Sequence, residues 1–490
     1  MSRHQMSPAD AAWLHMGRPT NPMIVNGLLR FARPVDYNRA KDTIRERLIK
    51  PFPRFRQRVI EPTLGVGRPS WEDDAVFDLD LHVHRVALPA PGDDAALRQL
   101  ASERVVRPLD AARPLWEMYL VEGYGSGAAL LARMHHCIAD GIGLARVLLS
   151  LTDEQPSAEG PPPHAMTAHR ARAGPAAATA HLLDGALHEG LEMLTHPAAE
   201  TRQVVQGVDA NARALAKLLF TGPDAHTVLS EAPGVARCLT WCEPVPLEEI
   251  KAIGHASGST VNDIVVAAMS GALGSYLAHR ASPAQEIRAM IPVNLRPLDE
   301  PLSPELGNRF GLVELTLPIA LADPGERLAE VHRRMDKIKH SPEGPVSYRA
   351  LGLVGLTPAL VESRIVDLIS QAESVVITNV PGPGRPVYFA GVKVTRLLAW
   401  VPTGGSIGIG VSIISYDGVV TVGLQAAANI VADPERIVRA FAREMRALKR
   451  LHGGTRRRAR PPAQAGSRRT AAGGRRVARR GTPSPAQRPG

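Results

Sequence analysis

The residues best suited to chemistry lie in one short run, Met134-His-His-Cys-Ile-Ala-Asp-Gly141, with the spacing His-His-x-x-x-Asp-Gly. A histidine such as His135 or His136 can accept a proton near neutral pH. The carboxylate of Asp140 can anchor a turn or a salt bridge. Gly141 lets the backbone bend where a side chain would clash. The run therefore indicates a site for acid–base chemistry.

Three other interpretations of the same residues stay open. His, His and Asp are all metal ligands, but neighbouring residues on a strand point to opposite faces, so His135 and His136 would not reach one metal together. Cys137 is a candidate nucleophile, although nucleophilic cysteines usually lie at a helix N-terminus beside a histidine of another element. The histidines could also be structural, with their hydrogen bonds satisfied at the end of a strand. Strand alternation therefore disfavours a metal site, and no metal is expected, but the residues alone do not choose between a structural and a catalytic role.

The flanking residues predict the elements that position this run. Residues 127–134 form an apolar stretch of strand length, and residues 142–151 are apolar at helical spacing. The histidines are therefore expected where a buried strand ends and a helix begins.

Length and composition indicate a globular protein of two or more domains, because 490 residues exceed the size of one ordinary core. The three cysteines form no disulfide framework and no zinc motif, which favours a reducing compartment. The N-terminus has no apolar core of a signal peptide, and no run of about 18 apolar residues predicts a spanning helix.

The excess of positive over negative charge comes from one end of the chain. The formal net charge is +10, but residues 455–490 contain 11 arginines and no Lys, Asp or Glu. The rest of the chain is close to neutral. Anionic lipid or nucleic acid could bind such a segment through phosphate charge. The absence of aromatic residues there argues against base stacking, and we expect a solvated extension that binds no specific nucleic acid.

Periodicity and composition divide the chain into four parts. We expect an α/β domain over 1–155, a helical interdomain connector over 156–235, a second α/β domain over 236–452 and a disordered Arg-rich tail over 453–490. Helices are predicted at 7–10 (start only), 36–49, 94–107, 247–253, 260–273 and 434–451. Strands are predicted at 77–88, 115–121, 289–293, 312–317, 374–378 and 407–415.

The His-His-x-x-x-Asp-Gly run resembles the signature of the CoA-dependent acyltransferase superfamily, and further stretches resemble its bacterial wax ester synthase/diacylglycerol acyltransferase family. They follow one another in the family's order from about residue 6 to residue 450. They are residues 6–13 (MSPADAAW), 53–58 (PRFRQR), 77–83 (FDLDLHV), 108–123 (PLDAARPLWEMYLVEG), 260–265 (TVNDIV), 292–296 (PVNLR), 307–311 (GNRFG), 378–383 (TNVPGP) and 415–418 (SYDG).

The resemblance implies an α/β (α+β) fold of two chloramphenicol-acetyltransferase-like domains with mixed sheets and a tunnel at their interface. It also implies transfer of a fatty acyl group from acyl-CoA, as co-substrate and without other cofactors, to a hydroxyl. The acceptor would be diacylglycerol, giving triacylglycerol, or a long-chain alcohol, giving a wax ester. His136 would be the general base of a direct transfer, with no covalent acyl-enzyme.

Further roles follow from the same resemblance. Asp140 is expected to be structural and to pair with an arginine, for which Arg296 is the candidate, while Gly141 keeps the approach to His136 open. Asn262 would either cap its helix or line the tunnel. Asn379 is expected in a tight turn at the domain interface. His135 completes the predicted site.

One departure from the family concerns Ala427, which occupies a position where Asp is common, so activity or acceptor preference could differ. Two alternative functions stay open: acylation of a polyketide-type alcohol from another thioester donor, and an impaired relative that binds lipid or nucleic acid through its tail. Because the substrates are insoluble, we expect peripheral association with the inner face of a membrane or with lipid inclusions in the cytoplasm. The sequence does not indicate the oligomeric state.

Overall fold

Two seven-stranded mixed sheets form the framework of the chain. A computed structural model describes residues 3–63, 67–156, 222–297, 300–356, 366–367 and 369–453. The helices with bounds in these ranges are α1 (Pro8–His15), α2 (Tyr37–Ile44), α3 (Asp94–Val105), α4 (Gly141–Ser150), α5 (Leu247–Ser257), α6 (Val261–His279), α7 (Pro324–Lys339), α8 (Glu343–Val354) and α9 (Pro434–Gly453).

The strands of the N-terminal half are β1 (Arg3–Gln5), β2 (Ile24–Phe31), β3 (Gln57–Ile60), β4 (Ser70–Asp73), β5 (Val83–Ala87), β6 (Trp116–Tyr124), β7 (Gly127–His135) and β8 (Thr152–Asp153). Those of the C-terminal half are β9 (Arg237–Trp241), β10 (Val245–Pro246), β11 (Ile287–Asn294), β12 (Phe310–Leu317), β13 (Val375–Pro381), β14 (Tyr388–Phe389), β15 (Val392–Trp400), β16 (Ile409–Tyr416) and β17 (Val419–Ala427).

The first sheet has the order β5-β6-β7-β2-β15-β14-β8, with β5 parallel to β6 and the other neighbours antiparallel. Every residue of the interior strand β7 is buried, because α4 packs on one side of the sheet and α3 on the other. This burial explains why residues 127–135 are a continuous apolar run rather than an alternating one. A small separate sheet joins β1, β4 and β3.

The second sheet has the order β10-β17-β16-β13-β11-β12, and β9 also pairs with β17. Strand β13 is parallel to both β11 and β16, which makes this sheet mixed as well. Helix α6 lies in the core on this sheet, together with residues of α5, α7 and α9. The mixed sheets of both halves confirm the predicted α/β fold class.

One hairpin crosses between the halves and corrects the predicted linear domain boundaries. Strands β14 and β15 lie within the range 236–452 but pair with the first sheet, where β15 is antiparallel to β2. Which strands pair depends on contacts remote in sequence, so periodicity could not reveal this exchange. Residues 157–221 of the predicted connector and 454–490 of the predicted tail lie outside the described residues.

Most predicted elements of the described chain are confirmed, with small changes at their ends. Residues 77–88 are a partial exception, because a short 3₁₀ turn at Leu79–Leu81 precedes β5. Among the described residues, helix α6 alone has the length and apolar composition to cross a bilayer. However, 72% of its most apolar window is buried inside the protein, as in a core helix.

Candidate active site

The two histidines lie where predicted, at the junction of β7 and α4. His135 is the last residue of β7, and the backbone N–H of His136 donates to the Met23 carbonyl at 2.8 Å. The loop then contacts the C-terminal half, since Gly307 N donates to the Ile138 carbonyl at 3.1 Å. These backbone contacts fix the position of His136 between the two halves of the chain.

The ring of His136 is held by aromatic side chains. It stacks on Trp13 with ring centroids 4.3 Å apart and lies 5.5 Å from the ring of Phe310. The side chain is only 7% exposed, and it borders the larger of two apolar cavities. His136 is therefore accessible to a ligand in this cavity but shielded from bulk water.

The hydrogen bonds of His136 leave one ring nitrogen available. Nδ1 lies 3.0 Å from Oδ1 of Asn308, an oxygen that can only accept, so Nδ1 donates. The Nδ2 group of Asn308 donates to the His136 carbonyl at 2.8 Å and to Oδ1 of Asp10 at 2.8 Å. In the neutral ring Nε2 then carries no proton, which is the form that a general base requires.

Burial lowers the pKa of His136, while the negative charge of Asp140 and the bond to Asn308 act in the opposite direction. Because the net shift is downward, the ring is neutral at physiological pH. The imidazole is therefore able to accept a proton from a substrate without first losing one.

His135 has a different environment from its neighbour. Its Nδ1 accepts the backbone N–H of Cys137 at 3.2 Å, and it borders neither of the two cavities. Burial, with a smaller contribution from His136, lowers the pKa of His135 to about 3. These contacts fit a structural residue that shapes the turn.

Cys137 does not have the properties of a nucleophile. Its side chain is fully buried, borders neither cavity, and has a pKa raised by burial and by Asp10. Reactive cysteines have a lowered pKa and some exposure. Within the described ranges, no group of three or more His, Cys, Asp or Glu side chains could hold a metal ion.

Asp140 is structural, but its predicted partner is wrong. Its Oδ1 accepts the N–H of Gly143 at 2.7 Å as the N-cap of α4, and its Oδ2 accepts the N–H of Arg309 at 3.0 Å. Asp140 and Arg296 both belong to the part of the chain that the structure describes, and they form no ion pair with each other. Instead, Arg296 donates to the Gly307 carbonyl at 3.3 Å. Backbone N–H groups occupy the carboxylate because the helix end and the 306–309 loop both need an acceptor there.

Gly141 lies at the junction of the two cavities. The larger, which contains His136, encloses about 1260 Å³ of unfilled space, part of it open to solvent, and the smaller encloses about 790 Å³. Gly141, Thr378 and Val401 border both. A Cβ atom on Gly141 would have no heavy atom within 4 Å, so the space beside this residue is unfilled.

The two predicted asparagines meet each other at the edge of the larger cavity. Asn379 borders the cavity, and its Nδ2 lies 3.4 Å from Oδ1 of Asn262. Asn262 does not cap α6, because Thr260 does so in a capping box with Asp263. Asn379 is not in a tight turn but within β13. The chain bends only after the strand, at Gly384 and Arg385.

Three residues that contact the ring of His136 were not predicted as site residues, namely Trp13, Asn308 and Phe310, and neither was Asp10, which binds Asn308. All four lie in stretches that carry the family resemblance, residues 6–13 and 307–311. The resemblance marked these stretches, but no local pattern indicated that they would meet at the histidine. Ala427, in contrast, borders neither cavity, so the lack of a carboxylate there removes no group from the site.

Comparison with known proteins identifies the family. Residues 6–265 match the wax ester synthase/diacylglycerol acyltransferase catalytic domain, and residues 306–449 match the C-terminal domain of the same family. The chain belongs to the wax ester synthase/diacylglycerol acyltransferase family. His136, Asp140 and Gly141 lie in the first match, and Asn308 lies in the second.

Individual relatives agree with this assignment. The chain is 29% identical over 398 residues to a Mycobacterium tuberculosis protein named diacylglycerol O-acyltransferase tgs1, covering 80% of this chain and 83% of that one. Another diacylglycerol O-acyltransferase by name from the same organism is 30% identical over 414 residues, which cover 80% of each chain.

Solved structures share the fold. The wax ester synthase/diacylglycerol acyltransferase from Marinobacter aquaeolei VT8 superposes with a TM-score of 0.66 and 23% identity, covering 92% of this chain and all of that one. The first condensation domain of the calcium-dependent antibiotic synthetase gives a TM-score of 0.59 at 16% identity, covering 93% and 98%. Both likenesses support the chloramphenicol-acetyltransferase-like fold expected for this chain.

Proposed function

We propose that this enzyme transfers a fatty acyl group from acyl-CoA to the hydroxyl of diacylglycerol or a long-chain alcohol, with His136 as the general base. The observation that carries the proposal is the neutral, cavity-facing ring of His136, whose Nδ1 is already bound to Asn308. Only Nε2 is then available to a substrate hydroxyl.

The transfer is a single displacement through a tetrahedral intermediate. Nε2 of His136 takes the hydroxyl proton of the acceptor as its oxygen attacks the thioester carbonyl, forming the new C–O bond. When the intermediate collapses, the C–S bond breaks and the CoA sulfur leaves with the proton from Nε2. The products are the ester and CoA–SH, and His136 returns to its starting state. Acyl-CoA is the co-substrate, and the balanced step needs no other cofactor.

Two neighbours of His136 can stabilise the charges that develop. The Trp13 ring stacks on the imidazole with centroids 4.3 Å apart, where its π face can attract the imidazolium that forms during transfer. The N-terminus of α4 begins at Gly141 beside the cavity, and its N–H groups favour negative charge such as that on the thioester oxygen. Both effects are strengthened because the side chain of His136 is shielded from bulk water.

The apolar character of both cavities supports a lipid acceptor and a fatty donor. The smaller cavity is bordered mainly by aliphatic side chains of β2, β7, α4 and β15, among them Leu29, Met134, Leu144 and Leu397. Apolar walls bind alkyl chains through the area that they remove from water. A polar, polyketide-type alcohol would find few partners on such a surface.

A radiolabelled assay tests the proposal. Purified enzyme is incubated with labelled palmitoyl-CoA and, separately, diacylglycerol, hexadecanol and a water-soluble polyol, and products are resolved by thin-layer chromatography. We expect labelled triacylglycerol, wax ester or both, with little product from the polyol. Parallel reactions with palmitoyl-acyl carrier protein as donor test the alternative thioester. Ester formation only from the carrier-bound donor, or none from any donor, would refute acyl-CoA-dependent lipid acylation.

We also propose that the enzyme works at the cytoplasmic face of a membrane or on lipid inclusions, through an arginine surface on α9. This surface is defined here as Arg439, Arg443, Arg446 and Arg450, all exposed and spaced along one side of the helix. Within the described chain none of these four forms an ion pair, whereas neighbouring Lys449 pairs with Glu249 at 2.7 Å. Positive charge on α9, which precedes the Arg-rich 455–490 segment in the sequence, complements anionic phospholipid headgroups.

Vesicle sedimentation tests this surface. Each surface arginine is worth about 1 kcal/mol near an anionic bilayer, so replacing Arg439, Arg443 and Arg446 with glutamine is expected to weaken binding by roughly 100-fold. The triple variant is made both in the full chain and in a chain lacking residues 455–490, so that the two contributions separate.

A control variant replaces Arg45, Lys50 and Arg107, which lie far from α9 in sequence, with glutamine and removes the same charge. Equal binding by the triple variant and this control would refute the role of α9. Tighter binding to a DNA oligonucleotide than to anionic vesicles would instead favour a nucleic-acid surface.

A further inference from the structure

We propose that Asp10 is a positioning residue for the reaction: its carboxylate fixes the side-chain amide of Asn308, which holds His136 with its proton on Nδ1 and none on Nε2. This inference rests on the proposed role of His136. It assigns a function to a carboxylate that touches neither the substrate space nor the imidazole.

The hydrogen bonds of Asn308 define the orientation of its amide. The Nδ2 group donates to Oδ1 of Asp10 and to the carbonyl of His136, both at 2.8 Å, so both of its N–H bonds are used. Its Oδ1 faces Nδ1 of His136 at 3.0 Å. All three contacts are satisfied in one orientation only.

The opposite orientation of the Asn308 amide would place its oxygen against two other acceptor oxygens. If the amide rotated by 180°, the Asn308 oxygen would face Oδ1 of Asp10 and the His136 carbonyl, which are both acceptors. Its NH₂ group would then face Nδ1 of His136 and force that nitrogen to accept. The ring proton would move to Nε2, and the base required for the transfer would be absent.

Asp10 is held in place for this task. It lies on α1, is 5% exposed, and accepts a second hydrogen bond at the same Oδ1 from the backbone N–H of Asn308 at 2.9 Å. It does not cap its own helix, because Ser7 is the N-cap of α1. Burying a carboxylate costs desolvation free energy unless hydrogen bonds offset it. Here the backbone N–H and the side-chain NH₂ of Asn308, 298 positions away, both donate to Asp10, which indicates a specific role.

The test compares Asp10→Ala with Asp10→Asn. Alanine removes the acceptor and frees the amide to rotate, so kcat is expected to fall by ~10²–10⁴-fold, the range that a positioned general base contributes. KM for acyl-CoA should change by less than about threefold, because neither cavity is bordered by Asp10. Asparagine keeps an acceptor oxygen of the same reach, so Asp10→Asn should recover most of the lost kcat.

A second measurement reads the tautomer directly and needs no substrate. In enzyme labelled with ¹⁵N-histidine, the ring nitrogens of His136 are assigned by difference from His136→Gln. The wild type and Asp10→Asn should show a proton on Nδ1, and Asp10→Ala should show the proton on Nε2 or exchange between both. As a folding control, Asp36→Ala removes the N-cap of α2 and should lower Tm without moving these signals.

The outcomes separate this inference from the proposed function. An unchanged Nδ1–H tautomer in Asp10→Ala, or an equal loss of kcat in Asp10→Asn and Asp10→Ala, overturns the positioning role. If the wild type acylates no lipid hydroxyl, the proposed function fails, yet the tautomer comparison still decides whether Asp10 controls the ring of His136.

Discussion

Replacing His136 with glutamine is expected to lower kcat by ~10²–10⁴-fold, the usual contribution of a positioned general base. Glutamine approaches the length of the imidazole and can still bind Asn308, but its amide has no basic nitrogen. The acceptor hydroxyl must then lose its proton to water, which is a much weaker base than imidazole. KM for acyl-CoA should change little, because most of the cavity surface stays the same.

The neighbouring histidine supplies the comparison for this variant. His135→Gln is expected to lower Tm, since His135 is buried and bound to the backbone of Cys137, but to keep kcat within about tenfold of the wild type. Far-UV circular dichroism and Tm are measured for both variants. If His135→Gln lost more activity than His136→Gln while both stayed folded, the assignment of the base would be reversed.

Replacing Gly141 with valine is expected to block passage between the two cavities. Gly141 borders both, and a Cβ atom there meets no heavy atom within 4 Å, so the new methyl groups would occupy the open junction rather than displace protein atoms. One misplaced methylene in a binding pocket costs ~10–200-fold in kcat/KM, and valine adds more than one. A long acyl chain that must extend through both cavities should therefore lose at least that factor.

The chain-length dependence distinguishes a blocked junction from a damaged site. With butyryl-CoA, which needs little space beyond the thioester, Gly141→Val should stay within about threefold of the wild type. The matched control is Gly384→Val, another glycine with no atom near its Cβ position and no part in either cavity. Equal losses for butyryl- and palmitoyl-CoA would contradict a connected pair of cavities.

Local patterns predicted the elements that position the site. The apolar run before His135 and the helical spacing after Gly141 placed the histidines at a strand-to-helix junction, as the structure has them. The capping residue Thr260 likewise fixed the start of α6. In these cases the relevant hydrogen bonds and apolar contacts lie within a few residues of each other, so the sequence carries the information directly.

Contacts between distant segments could not be predicted in the same way. The Asp10–Asn308–His136 network joins three elements separated by up to 298 residues. The expected Asp140–Arg296 pair failed for a related reason, because the backbone N–H of Arg309 reaches Asp140 from the same distant loop. A backbone donor carries no sequence signal, so the resemblance, which implied an arginine side chain as the partner of Asp140, could not indicate this contact.

The pH dependence of kcat tests the central claim, that neutral His136 is the base, most directly. Burial lowers the pKa of His136, so kcat should be constant around neutral pH and fall on acidification, tenfold per pH unit, only below the ordinary histidine value of about 6.5. The residual activity of His136→Gln should lack this acidic limb. If His136→Gln kept a kcat near that of the wild type, and its kcat fell at the same pH with the same slope, the account would be contradicted.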